Sequence, residues 1–237
     1  MKNKILIFSP TYNESENIIK LLNQIDQLNL NVDVLIIDDN SPDGTWKVVQ
    51  DYLKNKKNIY LIVRKKKAGL DTAHKLAYKY SITNNYQYLI TMDADQTHNP
   101  NKISEILYEL KTNPFVICSR YIKGGSTDIK GFRLFISYFG NKFMKFIFKI
   151  NCHDFACAYR GYSLDELGDF DIKKISSKGY SFFMEVVYHL HNKGIEIKEV
   201  PFYAKQRVSG KSKIPNIEIF RTLFNIFRLK FKKIFNY

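Results

Sequence analysis

Two carboxylates separated by one residue, Asp93 and Asp95, are the most chemically suggestive pair in the sequence. They follow an apolar run at residues 87–92 that predicts a buried strand. Side chains two residues apart at a strand end point to the same side, and converging carboxylates repel each other unless a cation lies between them. Such oxygen ligands suit Mg²⁺ or Mn²⁺ bound together with substrate phosphates. Taken alone, the pair is more typical of two solvated acids at the end of a strand; its place at a sheet edge beside Asp38 and Asp39 favours binding of a metal and a diphosphate.

The elements around this pair predict an α/β fold with a doubly wound, mostly parallel sheet. Apolar runs that predict strands alternate with helical patterns through the first half of the chain. In such sheets, ligands bind beyond the carboxyl ends of the strands. The predicted strands are residues 4–9, 32–38, 58–63, 87–92 and 115–119, and the helical patterns include 14–28, 72–80 and 100–110. We therefore expect four polar groups to gather at one edge: Pro10-Thr11-Tyr12-Asn13-Glu14, Asp38-Asp39-Asn40, Asp93-Ala94-Asp95 and Ser119-Arg120-Tyr121. For one of the two acids Asp38 and Asp39, turn chemistry before Ser41 is the expected role.

Basic residues supply candidates for binding phosphate. Arg120 directly follows the fifth predicted strand, although a surface salt bridge is its alternative role. Arg207 and Lys213 lie in a basic loop that could clamp a diphosphate, or could simply be solvated. His98 lies three residues after Asp95, where a supporting or capping role is expected. The glycine-rich motifs of dinucleotide-binding enzymes and of P-loop NTPases are missing from the sequence.

The second half predicts helices at residues 132–150, 179–193 and 216–235, and an alternating strand at 195–203 that closes a sheet edge. The formal net charge of +14 is concentrated in residues 130–150 and 201–237. Phenylalanines at helical spacing beside lysines and arginines suit the surface of an anionic membrane, most of all for the C-terminal helix. The alternative is that both apolar faces pack on the sheet. Because the rest of the chain is nearly neutral, a nucleic-acid partner is not expected.

The sequence is 45% hydrophobic, which favours a folded domain over disorder. Its three cysteines predict no disulfide framework, and no apolar stretch reaches the roughly 18 residues that a membrane span needs. We therefore expect a cytoplasmic protein, peripheral at the cytoplasmic face of a membrane.

Several motifs occur together in an order that resembles the family 2 glycosyltransferases of the GT-A fold. Within that family the chain is most similar to the catalytic domain of dolichyl- or polyprenyl-phosphate mannosyltransferases, over about residues 4–225. The motifs are Pro10-Thr-Tyr-Asn-Glu14, Ile37-Asp-Asp-Asn-Ser-Pro-Asp-Gly-Thr45, Met92-Asp-Ala-Asp95, Ser119-Arg-Tyr121, Gly179-Tyr-Ser-Phe182, and Arg207 with the loop up to Lys213.

This resemblance implies a metal-dependent inverting transfer of a sugar, mannose from GDP-mannose, onto dolichyl or polyprenyl phosphate. It implies that Pro10, Tyr12, Glu14, Ile37 and Asp39 hold the nucleotide base and ribose. It implies that Asp93 and Asp95 bind Mg²⁺ or Mn²⁺ and the diphosphate, with Ala94 contributing its backbone and Thr97 a further metal ligand. It also implies that Arg120, Arg207 and Lys213 contact phosphates, so the catalytic set is Asp95, Arg120, Arg207 and Lys213. The sequence departs from the family pattern at four positions, Asp71, Ala156, Ala158 and Phe183. These departures bear on which sugar and which acceptor are used more than on how the donor is bound.

Two other functions remain open at this point. A family 2 transferase that uses a UDP-sugar and a hydroxyl acceptor would need a general base, for which Asp154 and Glu185 are candidates. A basic module that only binds membranes or nucleic acid is the non-enzymatic alternative. The expected organisation is a catalytic domain at residues 1–213 that includes the interface helix 132–150, followed by a basic helix at 214–237. The lipid acceptor is then reached by peripheral attachment or through a membrane subunit.

Overall fold

Strands and helices alternate along most of the chain, as predicted. The structure is a computed structural model that describes residues 4–54, 56–206 and 217–235. The strands are β1 (Ile5–Thr11), β2 (Asp33–Asp38), β3 (Ile59–Val63), β4 (Tyr88–Thr91), β5 (Phe115–Ser119), β6 (Ser126–Thr127), β7 (Arg160–Ser163), β8 (Lys198–Pro201) and β9 (Tyr203–Ala204). The helices are α1 (Ile18–Asp26), α2 (Thr45–Leu53), α3 (Leu70–Thr83), α4 (Ile103–Glu109), α5 (Gly131–Phe148), α6 (Ser181–Asn192) and α7 (Ile217–Phe235).

A seven-stranded sheet in the order β3-β2-β1-β4-β7-β5-β8 forms the centre of the protein. All neighbouring strands are parallel except β7, which runs antiparallel to both β4 and β5. The predicted mostly parallel α/β sheet is therefore confirmed. The predicted strand at 195–203 does close the edge, as β8, and the chain then continues into β9, which pairs with β6 in a separate two-stranded sheet.

Helices cover both faces of the sheet, as the side chains of β7 show. A Cβ on Gly161 would lie 2.5 Å from Ile106 of α4. On the opposite face, the ring of Tyr162 lies 6.1 Å from that of Tyr78 in α3. Strands covered on both faces consist of nearly continuous apolar runs, which is why β1, β2 and β5 could be predicted.

Strand β7 was not predicted, because its sequence Arg-Gly-Tyr-Ser has neither an apolar run nor clear alternation. Arg160 is fully buried, and none of the acceptors that its guanidinium contacts in the described residues is a carboxylate. It donates instead to the backbone carbonyls of Cys157 (2.6 Å), Phe183 (2.9 Å) and Phe155 (2.6 Å). Gly161 leaves room for α4, so both unusual residues are explained by packing.

Helices α5 and α7 each pack one face and expose the other. In α7, Ile226 and Leu229 are buried, whereas Phe220 and Phe224 are 73% and 68% exposed. The hydroxyl of Tyr188 in α6 donates to the carbonyl of Leu229 at 3.2 Å, which fixes α7 on α6. Within the described ranges, none of the helices combines the length and the apolar character needed to cross a bilayer.

Some predicted boundaries were wrong. The first helix was expected from residue 14 but begins at Ile18, because residues 13–17 form a turn in which the N–H groups of Asn17 and Ile18 both donate to the carbonyl of Glu14. Helix α3 is longer than the predicted 72–80 and begins directly after Gly69.

Candidate functional site

The strand register brings the four polar groups to one edge of the sheet. Pro10 pairs with Ile37 and Thr11 with Asp38, so β1 and β2 end together. Phe8 pairs with Thr91, which places the end of β4 beside β1. Arg160 of β7 pairs with Thr91 on one side and with Ile117 on the other, so β5 ends at the same edge two strands away.

Asp38 has the structural role that was expected for one of the two neighbouring acids. Its carboxylate is fully buried. It accepts hydrogen bonds from the hydroxyls of Thr11 (2.8 Å) and Ser41 (2.6 Å) and from the N–H of Ser41 (2.8 Å). Asp38 therefore fixes the turn after β2 and has little surface left for a ligand.

Asp39 is held by Arg64, a residue that the sequence analysis missed. Arg64 Nε donates to Asp39 Oδ1, and the N–H of Ala68 donates to Oδ2 at 3.2 Å. The Nη atoms of Arg64 donate to the hydroxyl of Thr72 (2.5 Å) and to the carbonyl of Gly69 (3.1 Å). Arg64 thus orients Asp39 and ties it to the start of α3. Its position directly after a predicted strand was a signal that could have identified it.

The other residues predicted to hold the base and ribose lie in or just after β1 and β2, at the edge that carries Asp39. Tyr12 is partly exposed, and the ammonium of Lys67 lies 4.1 Å from the centre of its ring. Glu14 is buried and accepts a hydrogen bond from Asn17 Nδ2 at 2.9 Å. Pro10 is partly buried. The side chain of Ile37 is only 1% exposed, so only the backbone of Ile37 could contact a ligand. Their contact with a nucleotide stays a prediction.

Asp93 and Asp95 follow β4 and are both partly exposed, whereas Ala94 between them is buried. The convergence of the two carboxylates on one metal ion stays a prediction. Thr97 donates to Asp95 Oδ1 through its N–H (3.1 Å) and its hydroxyl (2.6 Å). Thr97 therefore orients Asp95 in this structure, and a direct role of Thr97 as a metal ligand stays a prediction.

His98 supports the same loop. Its Nδ1 accepts from the N–H of Asp93 at 2.9 Å, while Nε2 lies 3.8 Å from Asp93 Oδ2. Burial lowers the pKa of His98 to about 4, against the opposing effect of the Asp95 carboxylate. The ring is therefore neutral at physiological pH, which leaves Nδ1 able to accept this hydrogen bond.

The donor set at this loop fits a divalent metal bound together with a substrate. Within the described residues no cluster of three or more His, Cys, Asp or Glu side chains forms a complete cage. Mg²⁺ and Mn²⁺ commonly bind through one or two carboxylates and take their remaining oxygen ligands from water and phosphates. Asp93 and Asp95 meet that requirement, because both are partly exposed and contribute only oxygen atoms.

Arg120 forms a two-pronged ion pair with Asp154. Its Nε and Nη2 each donate to a different carboxylate oxygen at 2.7 Å, and its backbone N–H donates at 3.1 Å. Burial alone would lower the pKa of Arg120, but the charge and hydrogen bonds of Asp154 raise it above its ordinary value. The guanidinium is thus permanently charged and fixed at the end of β5.

Glu185 of α6, the second candidate base, is also part of an ion pair. It is 2% exposed and accepts from the N–H groups of Ser176 (3.1 Å) and Ser177 (2.7 Å) and from Arg228 Nη2 of α7 (2.8 Å). Burial would raise the pKa of Glu185, but hydrogen bonds from His189, Ser177 and Ser176 hold it below its usual value. Glu185 therefore helps to join α6 and α7.

Arg207 and Lys213 lie outside the described residues. The chain just before them is positioned by Asp128, which accepts from the N–H of Gln206 at 2.9 Å and from the hydroxyl of Tyr203.

Comparison with known proteins matches the chain to one family model and to proteins that transfer mannose. A family model described as Glycosyl transferase family 2 matches residues 6–168. The polyprenol monophosphomannose synthase of Mycolicibacterium smegmatis is 30% identical over 226 residues, which cover 94% of this chain and 85% of that protein. The undecaprenyl-phosphate mannosyltransferase of Micrococcus luteus is 30% identical over 226 residues, which cover 95% of this chain and 93% of that protein.

Among solved structures, the glucosyl-3-phosphoglycerate synthase of Mycobacterium tuberculosis, crystallised with Mn²⁺, UDP and phosphoglyceric acid, has a similar fold. It superposes with a TM-score of 0.68 over 98% of this chain and 78% of that one, at 13% identity. At this identity the likeness concerns the fold alone.

Proposed function

The chain belongs to glycosyltransferase family 2, and on this basis we propose that it transfers mannose from GDP-mannose to the phosphate of a polyprenyl or dolichyl phosphate. The observation that carries the proposal is the likeness, over nearly the whole chain, to two proteins whose names specify a polyprenyl-type phosphate acceptor and mannose. Family membership also sets aside the non-enzymatic binding module.

Asp93 and Asp95 would hold Mg²⁺ or Mn²⁺ against the donor diphosphate. The metal would stabilise the negative charge that develops on the departing diphosphate oxygen. Asp39, fixed by Arg64, would accept hydrogen bonds from the ribose or base, with Pro10, Tyr12, Glu14 and Ile37 around it. Arg120 and, outside the described residues, Arg207 and Lys213 would contact phosphates of the donor and acceptor.

A phosphate acceptor explains why no general base is required. The second pKa of a phosphate monoester is about 6, so its oxygen is largely ionised at neutral pH. That oxygen forms a bond to the anomeric carbon while the bond from this carbon to GDP breaks, which inverts the configuration. The chain has to position the two substrates in line, which accounts for much of the catalysis.

A UDP-sugar donor with a hydroxyl acceptor is the second candidate, and the geometry disfavours it. Both candidate bases, Asp154 and Glu185, are buried and hydrogen-bonded to guanidinium groups. Each carboxylate is already engaged by an arginine side chain, Arg120 or Arg228, so neither is available to take a proton from an acceptor hydroxyl.

We also propose that the exposed faces of α5 and α7 bind the cytoplasmic face of an anionic membrane. On α7 the exposed apolar residues are Phe220, Leu223, Phe224, Phe227 and Phe231. Exposed basic residues, including Lys142 of α5 and Arg221 of α7, accompany them. Each basic residue near such a surface adds about 1 kcal/mol of attraction. Recruitment by a separate membrane subunit is the alternative, and binding of the purified chain to anionic vesicles would argue against it.

Incubation of purified protein with Mn²⁺ or Mg²⁺, labelled GDP-mannose and a polyprenyl phosphate tests the main proposal. We expect label in the organic phase that is lost when EDTA is added or when the lipid phosphate is replaced by the dephosphorylated alcohol. We also expect GDP with Mn²⁺ to raise the melting temperature more than UDP with Mn²⁺. Transfer to the alcohol but not to the phosphate, or no lipid-linked label with GDP-mannose, would contradict the proposal.

A further inference from the structure

The first turn of α3 supports the side chain that orients Asp39. Arg64 pairs with Asp39 through Nε, and its Nη atoms donate to the hydroxyl of Thr72 (2.5 Å) and to the carbonyl of Gly69 (3.1 Å). Both acceptors belong to the start of α3, whose first helical residue is Leu70. A movement of this turn would therefore change the direction in which Asp39 presents its carboxylate.

This turn has no side-chain cap of its own. The first N–H groups of an α-helix have no partner within the helix, and a side chain at the N-cap position commonly accepts from one of them. In α3 the N-cap position is Gly69, which has no side chain that could do so. Because helix ends fray, a start without a cap depends on contacts with other parts of the protein.

Asp71 provides such a contact between α3 and the start of α6. It is 6% exposed, and its Oδ1 accepts from the N–H of Gly179 at 3.1 Å, 108 residues further along the chain. A Cβ on Gly69 would lie 3.1 Å from the same oxygen, so the carboxylate is packed against the beginning of the turn. The negative charge also suits the positive end of the helix dipole.

The segment that leads to Gly179 is itself fixed from two sides. From α3, the ammonium of Lys75 donates to the carbonyl of Ile175 at 2.6 Å. From α6, the buried carboxylate of Glu185 accepts from the N–H of Ser177 at 2.7 Å. Gly179 is therefore a firm anchor for the first turn of α3.

We propose that Asp71 is a positioning residue for the donor nucleoside. Its bond to Gly179 fixes the first turn of α3, and that turn in turn fixes Arg64 and Asp39. This inference rests on the proposed function, in which Asp39 contacts the ribose or base. Asp71 itself contacts no substrate. Because hydrogen bonds weaken steeply with poor angle and distance, a loosened turn would weaken binding of the nucleoside and leave the diphosphate site after β4 intact.

Calorimetric titration with GDP and with inorganic pyrophosphate, each with Mn²⁺, tests the proposal, because only GDP carries a nucleoside. Asp71→Leu retains a side chain of similar size but removes the acceptor. Asp71→Asn retains a carbonyl oxygen that can accept from Gly179. The matched control is Lys75→Met, which removes a contact between the same helix and the same segment, one turn beyond the residues that support Arg64.

We expect Asp71→Leu to raise the Kd for GDP about tenfold, equivalent to about 1.4 kcal/mol of lost binding, and to leave the Kd for pyrophosphate unchanged. Asp71→Asn should stay within about twofold of the wild type for both ligands, because the hydrogen bond is retained. Lys75→Met should lower the urea midpoint but change neither Kd.

A double-mutant cycle with Arg64→Lys distinguishes positioning from a merely structural effect. In the Arg64→Lys background, Asp71→Leu should weaken GDP binding less than it does in the wild type, because the path through Arg64 is already broken. Two effects that simply add would contradict the proposal.

A Kd for GDP that stays at the wild-type value in Asp71→Leu would overturn the inference, and so would an equal loss for pyrophosphate. Failure of the proposed function is seen separately, in the wild type. If the wild type does not bind GDP with Mn²⁺, both proposals fail. If it binds GDP but transfers no mannose to a polyprenyl phosphate, the proposed function fails and the titrations still decide the role of Asp71. If it binds GDP and transfers mannose while Asp71→Leu binds GDP equally well, only the role of Asp71 fails.

Discussion

Replacement of Asp154 by asparagine should strongly destabilise the fold. The Asp154 carboxylate is fully buried and accepts three hydrogen bonds from Arg120, at 2.7, 2.7 and 3.1 Å. The Arg120 side chain is only 13% exposed, so removal of the carboxylate leaves a nearly buried positive charge without a partner. Breaking a buried ion pair on one side costs about 3–5 kcal/mol. Asparagine retains one carbonyl acceptor, so we expect a loss near the lower limit, about 3 kcal/mol.

Urea unfolding followed by the fluorescence of Trp46, the only tryptophan in the sequence, measures this loss. With a slope of about 2 kcal/mol/M, a loss of about 3 kcal/mol lowers the midpoint by about 1.5 M at an unchanged slope. The control is Asp51→Asn, which removes an ion pair whose two side chains, Lys54 and Asp51, are 72% and 73% exposed, and which should leave the midpoint unchanged. A shift in Asp154→Asn below about 0.3 M would refute the reasoning. Lost activity at full stability would instead support Asp154 as a general base.

Three further predictions concern the metal, the acid dependence and the packing. Asp95→Asn should abolish the extra rise in melting temperature that Mn²⁺ gives in the presence of GDP, and retained Mn²⁺ dependence would exclude Asp95 as a ligand. Because the pKa of Glu185 is lower in the folded state, its stabilisation is fully present above its unfolded value of about 4.3 and is lost progressively as the pH falls from there through the lower folded value. Glu185→Gln should therefore reduce the difference between urea midpoints measured at pH 7 and at about pH 3. Gly161→Ala places a Cβ 2.5 Å from Ile106 and should cost about 1–3 kcal/mol in urea unfolding. Gly140→Ala, inside α5 and with nothing within 4 Å of the new Cβ, should instead stabilise by about 0.5–1 kcal/mol.

The edge of the sheet could be predicted because its residues follow apolar runs. Buried parallel strands leave a clear signal, and the residue after each strand must lie at the carboxyl edge. The same logic predicted that Asp39, Asp93 and Arg120 follow strands that end at one edge, and that one of the acids Asp38 and Asp39 serves the turn, which is Asp38. Arg64 carries the same signal, because it directly follows β3.

Other parts of the site depend on contacts between residues far apart in the sequence. The guanidinium of Arg160 donates hydrogen bonds to backbone carbonyls, among them that of Phe183. No local sequence pattern predicts such a partner. Asp71, noted only as a departure from the family pattern, accepts from the N–H of Gly179 at 3.1 Å and so joins the starts of α3 and α6. Pairings of this kind are tertiary, and sequence periodicity carries no information about them.

The docking of α7 on α6 determines how the protein would meet a surface. A segment that folds only on binding loses conformational entropy at that moment, which weakens its affinity. Helix α7 has Ile226 and Leu229 already packed and Arg228 already paired with Glu185, so its outward phenylalanines are presented without that loss. Lys230 also donates to the carbonyl of Ile147, so α7 is joined to α5 as well as to α6. A bilayer that contacts the exposed faces of both joined helices would therefore restrict the tilt of the protein, and with it the height of the Asp93–Asp95 loop above the lipid headgroups.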